Sequence, residues 1–185
     1  MSDHVCPWWL GYLLASPIRT LAQDPEKVLR PFVKKGDTTL DVGSGMGFFS
    51  LPMARLVGER GRVVCVDLQE KMINGLRRRA SRAGLIDGMD LRVCTPASLH
   101  IDDLAGTIDF ALAFAVVHEV PDAKRLLSEI HAALNTGGHL LLSEPSGHVS
   151  EGAFAKTLSV AESVGFRVAA TAAIRRGHSK LLTKE

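Results

Sequence analysis

The sequence predicts an α/β fold: a seven-stranded, mostly parallel sheet with helices on both faces and an antiparallel strand at its C-terminal edge. Three observations predict it. From about residue 26 to the end, apolar strand-like runs alternate with amphipathic helical stretches. The run Arg62-Val63-Val64-Cys65-Val66-Asp67 is apolar nearly throughout, as a strand covered on both faces must be. No repeat, low-complexity tract or long linker divides the 185 residues, so a single domain over residues 1–185 is expected.

The elements follow in order. Asp24-Pro25 opens a first helix, with Asp as cap and Pro in the first turn, and Pro31 interrupts it. Thr38 to Val42 is a short strand that ends in the cluster Gly43-Ser44-Gly45-Met46-Gly47. A helix is expected from about Phe48 to Val57, then the strand Arg62 to Asp67, then a helix from Glu70 to Ala83 closed by Gly84. Leu91 to Cys94 and Ile108 to Phe114 read as strands, and Asp122 to Leu134 as an amphipathic helix. Asn135-Thr136-Gly137-Gly138 reads as a turn into the strand His139 to Ser143. Glu151 to Val164 is the last helix, and Phe166 to Ala170 with Ser179 to Thr183 can form an antiparallel edge.

Composition excludes several classes. A net charge of +2 with scattered basic residues is no nucleic-acid footprint, and the run Arg77-Arg78-Arg79 with Arg82 falls on a helix. Cys65 and Cys94 lie in apolar strand patterns and read as core residues. With Cys6 they make an odd set without metal-ligand or disulfide spacing, which fits a reducing cytoplasm and no bound metal. The apolar stretch from Trp8 to Ala15 is too short to span a bilayer and has no basic segment before it, so a cytoplasmic protein without an integral membrane segment is expected.

The site signal lies in LDVGSGMGF, residues 40 to 48. A strand ends at an acid, and glycines 43, 45 and 47 then let the backbone turn tightly and approach a ligand. The helix beyond offers free N–H groups to a polar or anionic group. Twenty residues after Gly47, at the end of the next strand, stands Asp67, placed to accept hydrogen bonds from a ribose diol. Together these make a nucleoside-binding signature. The glycine spacing departs from the G-x-G-x-x-G of dinucleotide sites, and Asp41 beside the turn would repel a pyrophosphate but could orient an ammonium. That charge logic favours S-adenosylmethionine over NAD. A nicotinamide-dependent oxidoreductase and a non-catalytic binder of S-adenosylmethionine remain as alternatives.

The stretches LDVGSGMGFFSLPMARLVGERGRVVCVDLQEKMINGLRRRASRAGL, IDFALAFAVVHEVPD and LNTGGHLLLSEP resemble class I S-adenosylmethionine-dependent methyltransferases, with their Rossmann-like fold. They are most similar to the group with the ubiquinone/menaquinone-biosynthesis and arsenite methyltransferases. The resemblance covers about residues 26 to 183 and specifies fold and cofactor rather than substrate. It implies that Gly43, Ser44, Gly45 and Gly47 wrap the methionine tail and that Asp41 supports its amino group. It implies too that Asp67 holds the ribose hydroxyls, that Leu68 and Met72 line the adenine, and that Ala113 and Phe114 pass the transferred methyl. S-adenosylhomocysteine would be the product. Family members often carry an acid after the third strand that reads the adenine. This chain has Thr95-Pro96-Ala97-Ser98 there, so Ala97 and its neighbours must serve through backbone groups or the Ser98 hydroxyl.

Acceptor-side candidates follow the fourth and fifth strands, whose C-termini face the ligand side in such sheets. His118 and Glu119 are candidates for a base or a substrate contact, and Glu144 and His148 for substrate contacts. Asp109, at the opposite strand end, reads as structural. Trp8, Trp9 and Tyr12 hold three of the ten aromatic side chains, so Trp8 and Tyr12 are candidate substrate contacts on an N-terminal lid over residues 1–25. His4 and Cys6 on the same segment could offer a soft contact to a metalloid or thiol. Only about eight residues separate the fifth strand from the last helix, which leaves room for a small-molecule methyl acceptor, with a second subunit of a homodimer able to complete the site.

Overall fold

Strand alternation decides which side chains reach which layer. A computed structural model of the chain describes residues 24–172 and 174–185. Its strands are β1 (Thr38–Val42), β2 (Arg62–Asp67), β3 (Met89–Val93), β4 (Ile108–Phe114), β5 (Leu134–Pro145), β6 (Phe166–Thr171) and β7 (Gly177–Lys184). Its helices are α1 (Pro25–Leu29), α2 (Ser50–Val57), α3 (Glu70–Arg82), α4 (Ala123–Ala133) and α5 (Glu151–Ser163). The sheet order is β3-β2-β1-β4-β5-β7-β6, parallel from β3 to β5, with β7 antiparallel to both β5 and β6. This is the predicted Rossmann-like sheet, with the expected C-terminal hairpin inserting its second strand between β5 and its first.

Leu40, Val42, Val64, Val66, Ala111, Ala113, Leu140 and Leu142 point to one face and pack with α4 and α5 through Leu127, Ile130, Phe154 and Ala161. Val63, Cys65, Phe110, Leu112 and Leu141 point to the other and pack with α1, α2 and α3 through Leu29, Met53, Val57, Leu76 and Ala80. Burial on both faces is the reason the middle of β2 and nearly all of β4 are apolar. Cys65 is fully buried, whereas Cys94, just past β3, is only partly so and packs at the edge of the core.

Several strand ends shift by one or two residues from expectation, and three boundaries differ in ways that matter to the site or the sheet. Asp24 does cap α1, accepting from the N–H groups of Glu26 and Lys27, but the helix stops at Leu29, two residues before Pro31. α2 begins at Ser50, not Phe48, and no side chain caps it; the two phenylalanines belong to the turn that leaves the glycine cluster. The Asn135–Gly138 turn lies inside β5, where the β4 register jumps from Ile108↔Leu134 to Phe110↔His139. Asp109 anchors that irregularity, accepting from the Asn135 amide at 2.6 Å and from the Thr38 N–H at 2.8 Å, the structural role expected of it.

Candidate active site

The strand order reverses between β1 and β4, which opens a crevice beyond their C-terminal ends. The glycine turn rises from β1 into this crevice and is tied to β2, with the Gly43 and Ser44 N–H groups donating to the Val66 carbonyl. Gly45 and Gly47 have φ of +53° and +85°, in the left-handed region that favours glycine. Their surroundings differ. A Cβ on Gly47 would lie 2.3 Å from Leu76 Cδ1, so this glycine exists for close packing of the turn on α3. A Cβ on Gly45 would meet nothing within 4 Å, which leaves that stretch of backbone open to a ligand.

Gly47→Ala is therefore expected to lower stability by about 2–4 kcal/mol through overpacking and backbone strain. Gly45→Ala should cost only about 1 kcal/mol in stability yet weaken S-adenosylmethionine binding more than about tenfold, because its methyl enters the ligand space. Thermal melts and calorimetric titration of the two variants check the contrast.

Two carboxylates flank the turn. Asp41 is 3% exposed and accepts a hydrogen bond from Ser50 Oγ at the start of α2. Burial pushes its carboxyl up to about 7, against the Ser50 hydrogen bond, and the nearby Asp67 adds to the rise. Asp67 accepts from the Gly45 N–H through one oxygen and from the Gln69 N–H through the other, both at 2.8 Å. Burial raises its carboxyl also, opposed by those two hydrogen bonds. In the same turn, the Ser44 hydroxyl is buried without a hydrogen-bond partner. An orphan hydroxyl, an open glycine backbone and two acids suit a phosphate-free nucleoside with an amino acid tail. They do not suit a pyrophosphate.

Leu68 stands exposed just beyond Asp67, whereas Met72 is 4% exposed within the packed face of α3. Ala97 is exposed in the tight Thr95–Ser98 turn. The Ser98 hydroxyl is already engaged, donating to Glu129 at 3.2 Å and accepting from the His100 N–H at 3.0 Å. Phe114 ends β4, half-buried, and packs with Phe49 at a ring-centroid distance of 4.6 Å. Phe49 meets Phe48 edge-on at 5.0 Å, so the rim beside the glycine turn is aromatic.

Beyond β4 and β5 lies a second, polar cluster. Glu144 is 2% exposed and accepts from the Val117 N–H at 2.8 Å, while its other oxygen pairs with His118 Nδ1. The His148 ring centre is 6.3 Å from that of His118. Partial desolvation raises the Glu119 carboxyl above the usual carboxylate range; His118 and His148 oppose the rise, and Glu144 and Asp67 add to it. Glu119 thus lies within electrostatic reach of both clusters. Ser50 and the Glu144–His118 pairing are what sequence reasoning missed. Trp8 and Tyr12, with His4, Cys6 and Trp9, lie outside the described residues.

A family model described as a methyltransferase domain matches residues 33–179, most of the chain. The chain belongs to that methyltransferase family. That family fits the S-adenosylmethionine reading of the glycine turn better than the nicotinamide one. It is 30% identical over 112 residues to a ubiquinone/menaquinone biosynthesis C-methyltransferase of Hydrogenovibrio crunogenus, covering 60% of this chain and 43% of that one. The corresponding protein of Escherichia coli is 30% identical over 119 residues, 64% of this chain and 47% of its own length. The chain thus spans about half the length of the curated relatives it matches. A crystal structure of a methyltransferase from Aquifex aeolicus shares the fold, with a TM-score of 0.84, 24% identity and coverage of 97% of this chain and 98% of that one. Among the described residues no helix of this methyltransferase is long and apolar enough to cross a membrane.

Proposed function

We propose that this methyltransferase acts on a small-molecule acceptor held beyond the C-terminal ends of β4 and β5. The observation that carries the reading is the polar cluster of His118, Glu144 and His148, set next to the cofactor side of the crevice. Only Ser146 to Ser150 lie between β5 and α5, so among the described residues the cleft is lined by short core loops, which favours a small acceptor. The quinone-pathway names of the curated relatives lean the same way.

In this reading Gly43 to Gly47, with the Ser44 hydroxyl, hold the amino acid tail, and Asp41 balances its ammonium group. Asp67 takes the ribose hydroxyls and Leu68 the adenine, with Met72 behind. S-adenosylmethionine, when bound, supplies a methyl group on a sulfonium, a carbon ready for in-line displacement. Phe114 and the turn after it separate that methyl from water, and His118 and Glu119 face the acceptor.

The test is transfer of a tritiated methyl group from S-adenosylmethionine into a cell extract, separated afterwards into metabolites, RNA and protein. Label that depends on the enzyme is expected in the metabolite fraction. Label confined to RNA or protein overturns the small-molecule reading.

A further inference from the structure

A neutral hydroxyl is a poor nucleophile towards a sulfonium carbon, and losing its proton makes it a good one. Around Glu144 the fold has built a device suited to remove such a proton. The Glu144 side chain is 1% exposed and that of His118 is 26% exposed. A carboxylate can only accept, so the His118 nitrogen that meets Glu144, Nδ1, carries the proton. In the uncharged tautomer this leaves the lone pair on Nε2, the nitrogen turned away from Glu144. The other Glu144 oxygen is fixed by the Val117 N–H, so the carboxylate cannot turn away.

The backbone takes a strained path to bring the pair together. Ala115, the first residue past β4, has φ of +56°, unusual for a residue with a side chain, and its N–H donates to the Ser143 carbonyl at 2.8 Å. This kink turns the Val117–Glu119 segment over the end of β5, where His118 meets Glu144. Such strain persists only where the surroundings enforce it.

We infer that His118 is the general base of the reaction and Glu144 its positioning residue, and that the acceptor is a phenolic or enolic hydroxyl compound. This rests on the acceptor location proposed above. The acceptor hydroxyl gives its proton to Nε2 of His118, and an oxygen lone pair forms the new bond to the methyl carbon. The carbon–sulfur bond breaks with its electron pair going to sulfur, which becomes a neutral thioether. The imidazolium formed is stabilised by Glu144 and returns its proton to solvent. A phenolic or enolic hydroxyl lies far closer in acidity to an imidazolium than an aliphatic alcohol does and so suits this base best, and a thiol ionises without help. A flat, hydroxyl-bearing ring also suits the aromatic rim of Phe48 and Phe114. The other ionisable groups around His118 are Glu119 on its own turn, His148 after β5, and His178 of β7, which lies opposite Glu144 in the sheet and stacks on Phe154.

The test uses the whole chain with S-adenosylmethionine and two probes, phenol and 4-nitrophenol, at a mildly alkaline pH where only the second is already ionised. In His118→Gln, methylation of phenol should fall by about 100-fold or more and that of 4-nitrophenol by less than about tenfold. Long-range ¹⁵N spectra should show His118 as the Nδ1–H tautomer in the wild type and as a tautomer mixture in Glu144→Gln. S-adenosylhomocysteine affinity reports that each variant is folded, and should Glu144→Gln fail to fold, the wild-type tautomer and His118→Gln decide alone. Equal losses on both phenols, or a wild-type His118 carrying its proton on Nε2, overturn the base. A wild type that labels metabolites but neither phenol overturns the acceptor class and leaves the small-molecule reading standing. Label found only in RNA or protein removes that reading instead.

Discussion

Asp67→Ala is expected to weaken binding of S-adenosylmethionine and S-adenosylhomocysteine by about 100-fold or more, which is about 2.7 kcal/mol. The reasoning starts from the hydrogen bonds Asp67 already makes. One oxygen holds the Gly45 N–H and the other the Gln69 N–H, so the carboxylate sets the pose of the glycine turn before any ligand arrives. Alanine removes that tie, and with it the acceptor proposed for two ribose hydroxyls. Hydrogen bonds to a charged group are worth about 1.5–3 kcal/mol each, so losing a ribose pair alone accounts for the effect. Stability should change little, because burial already disfavours the Asp67 charge and its loss offsets the broken ties. A melting temperature within about 4 °C of the wild type is expected. Asp67→Asn keeps one acceptor oxygen and should fall between, at about tenfold. Calorimetric titration of both variants decides the point, and an unchanged affinity would move ribose recognition to another residue.

Asp67 could be found from sequence because its chemistry is local: a strand, a glycine turn, a helix and a second strand lie in succession, and the acid ends the last. The same holds for Asp41 and for β1, β2 and β4, whose apolar runs are bounded by charged or turn residues. Other features depend on what the chain does at long range. His118 and Glu144 each stood out singly, but their pairing needs the β4–β5 register and the left-handed Ala115, and neither has a sequence signal. Ser50 lay hidden inside a stretch that reads as helix, although a buried acid at a strand end requires a donor. The Asn135–Gly138 segment misled for a related reason. Glycine and asparagine report backbone conformation, here a φ of +80° at Gly137, and do not say whether the chain leaves the sheet or bulges within it. The Ser98 hydroxyl, free on paper, is occupied because Glu129 reaches it from α4.

The largest stability effect is expected at Asp41, and its sign is opposite to that of most carboxylates. Burial raises the folded value from the ordinary 3.8 to about 7, so over that range the folded chain binds more protons than the unfolded one. Stability from this group is then full below the lower value and is lost as pH rises through the upper one. The rise corresponds to about 4 kcal/mol. Asp41→Asn keeps an acceptor for Ser50 without the buried charge. It should therefore be more stable than the wild type above neutral pH, by up to about 4 kcal/mol, and the advantage should vanish towards pH 4. Asp67, which repels the Asp41 charge, is relieved of that repulsion in Asp41→Asn, and this adds to the advantage at higher pH. Denaturant unfolding across this range measures the effect, and parallel curves for the two proteins would refute it. The same charge has a use once a ligand is present. An ammonium group beside Asp41 favours its ionised form, so binding of S-adenosylmethionine should release a proton below neutral pH and tighten as pH rises. In Asp41→Asn both the proton release, read from titrations in buffers of different ionisation enthalpy, and the pH dependence should be lost while the affinity falls. A variant made more stable and less able to bind would locate at Asp41 a carboxylate that costs the empty fold stability and is retained for its ligand.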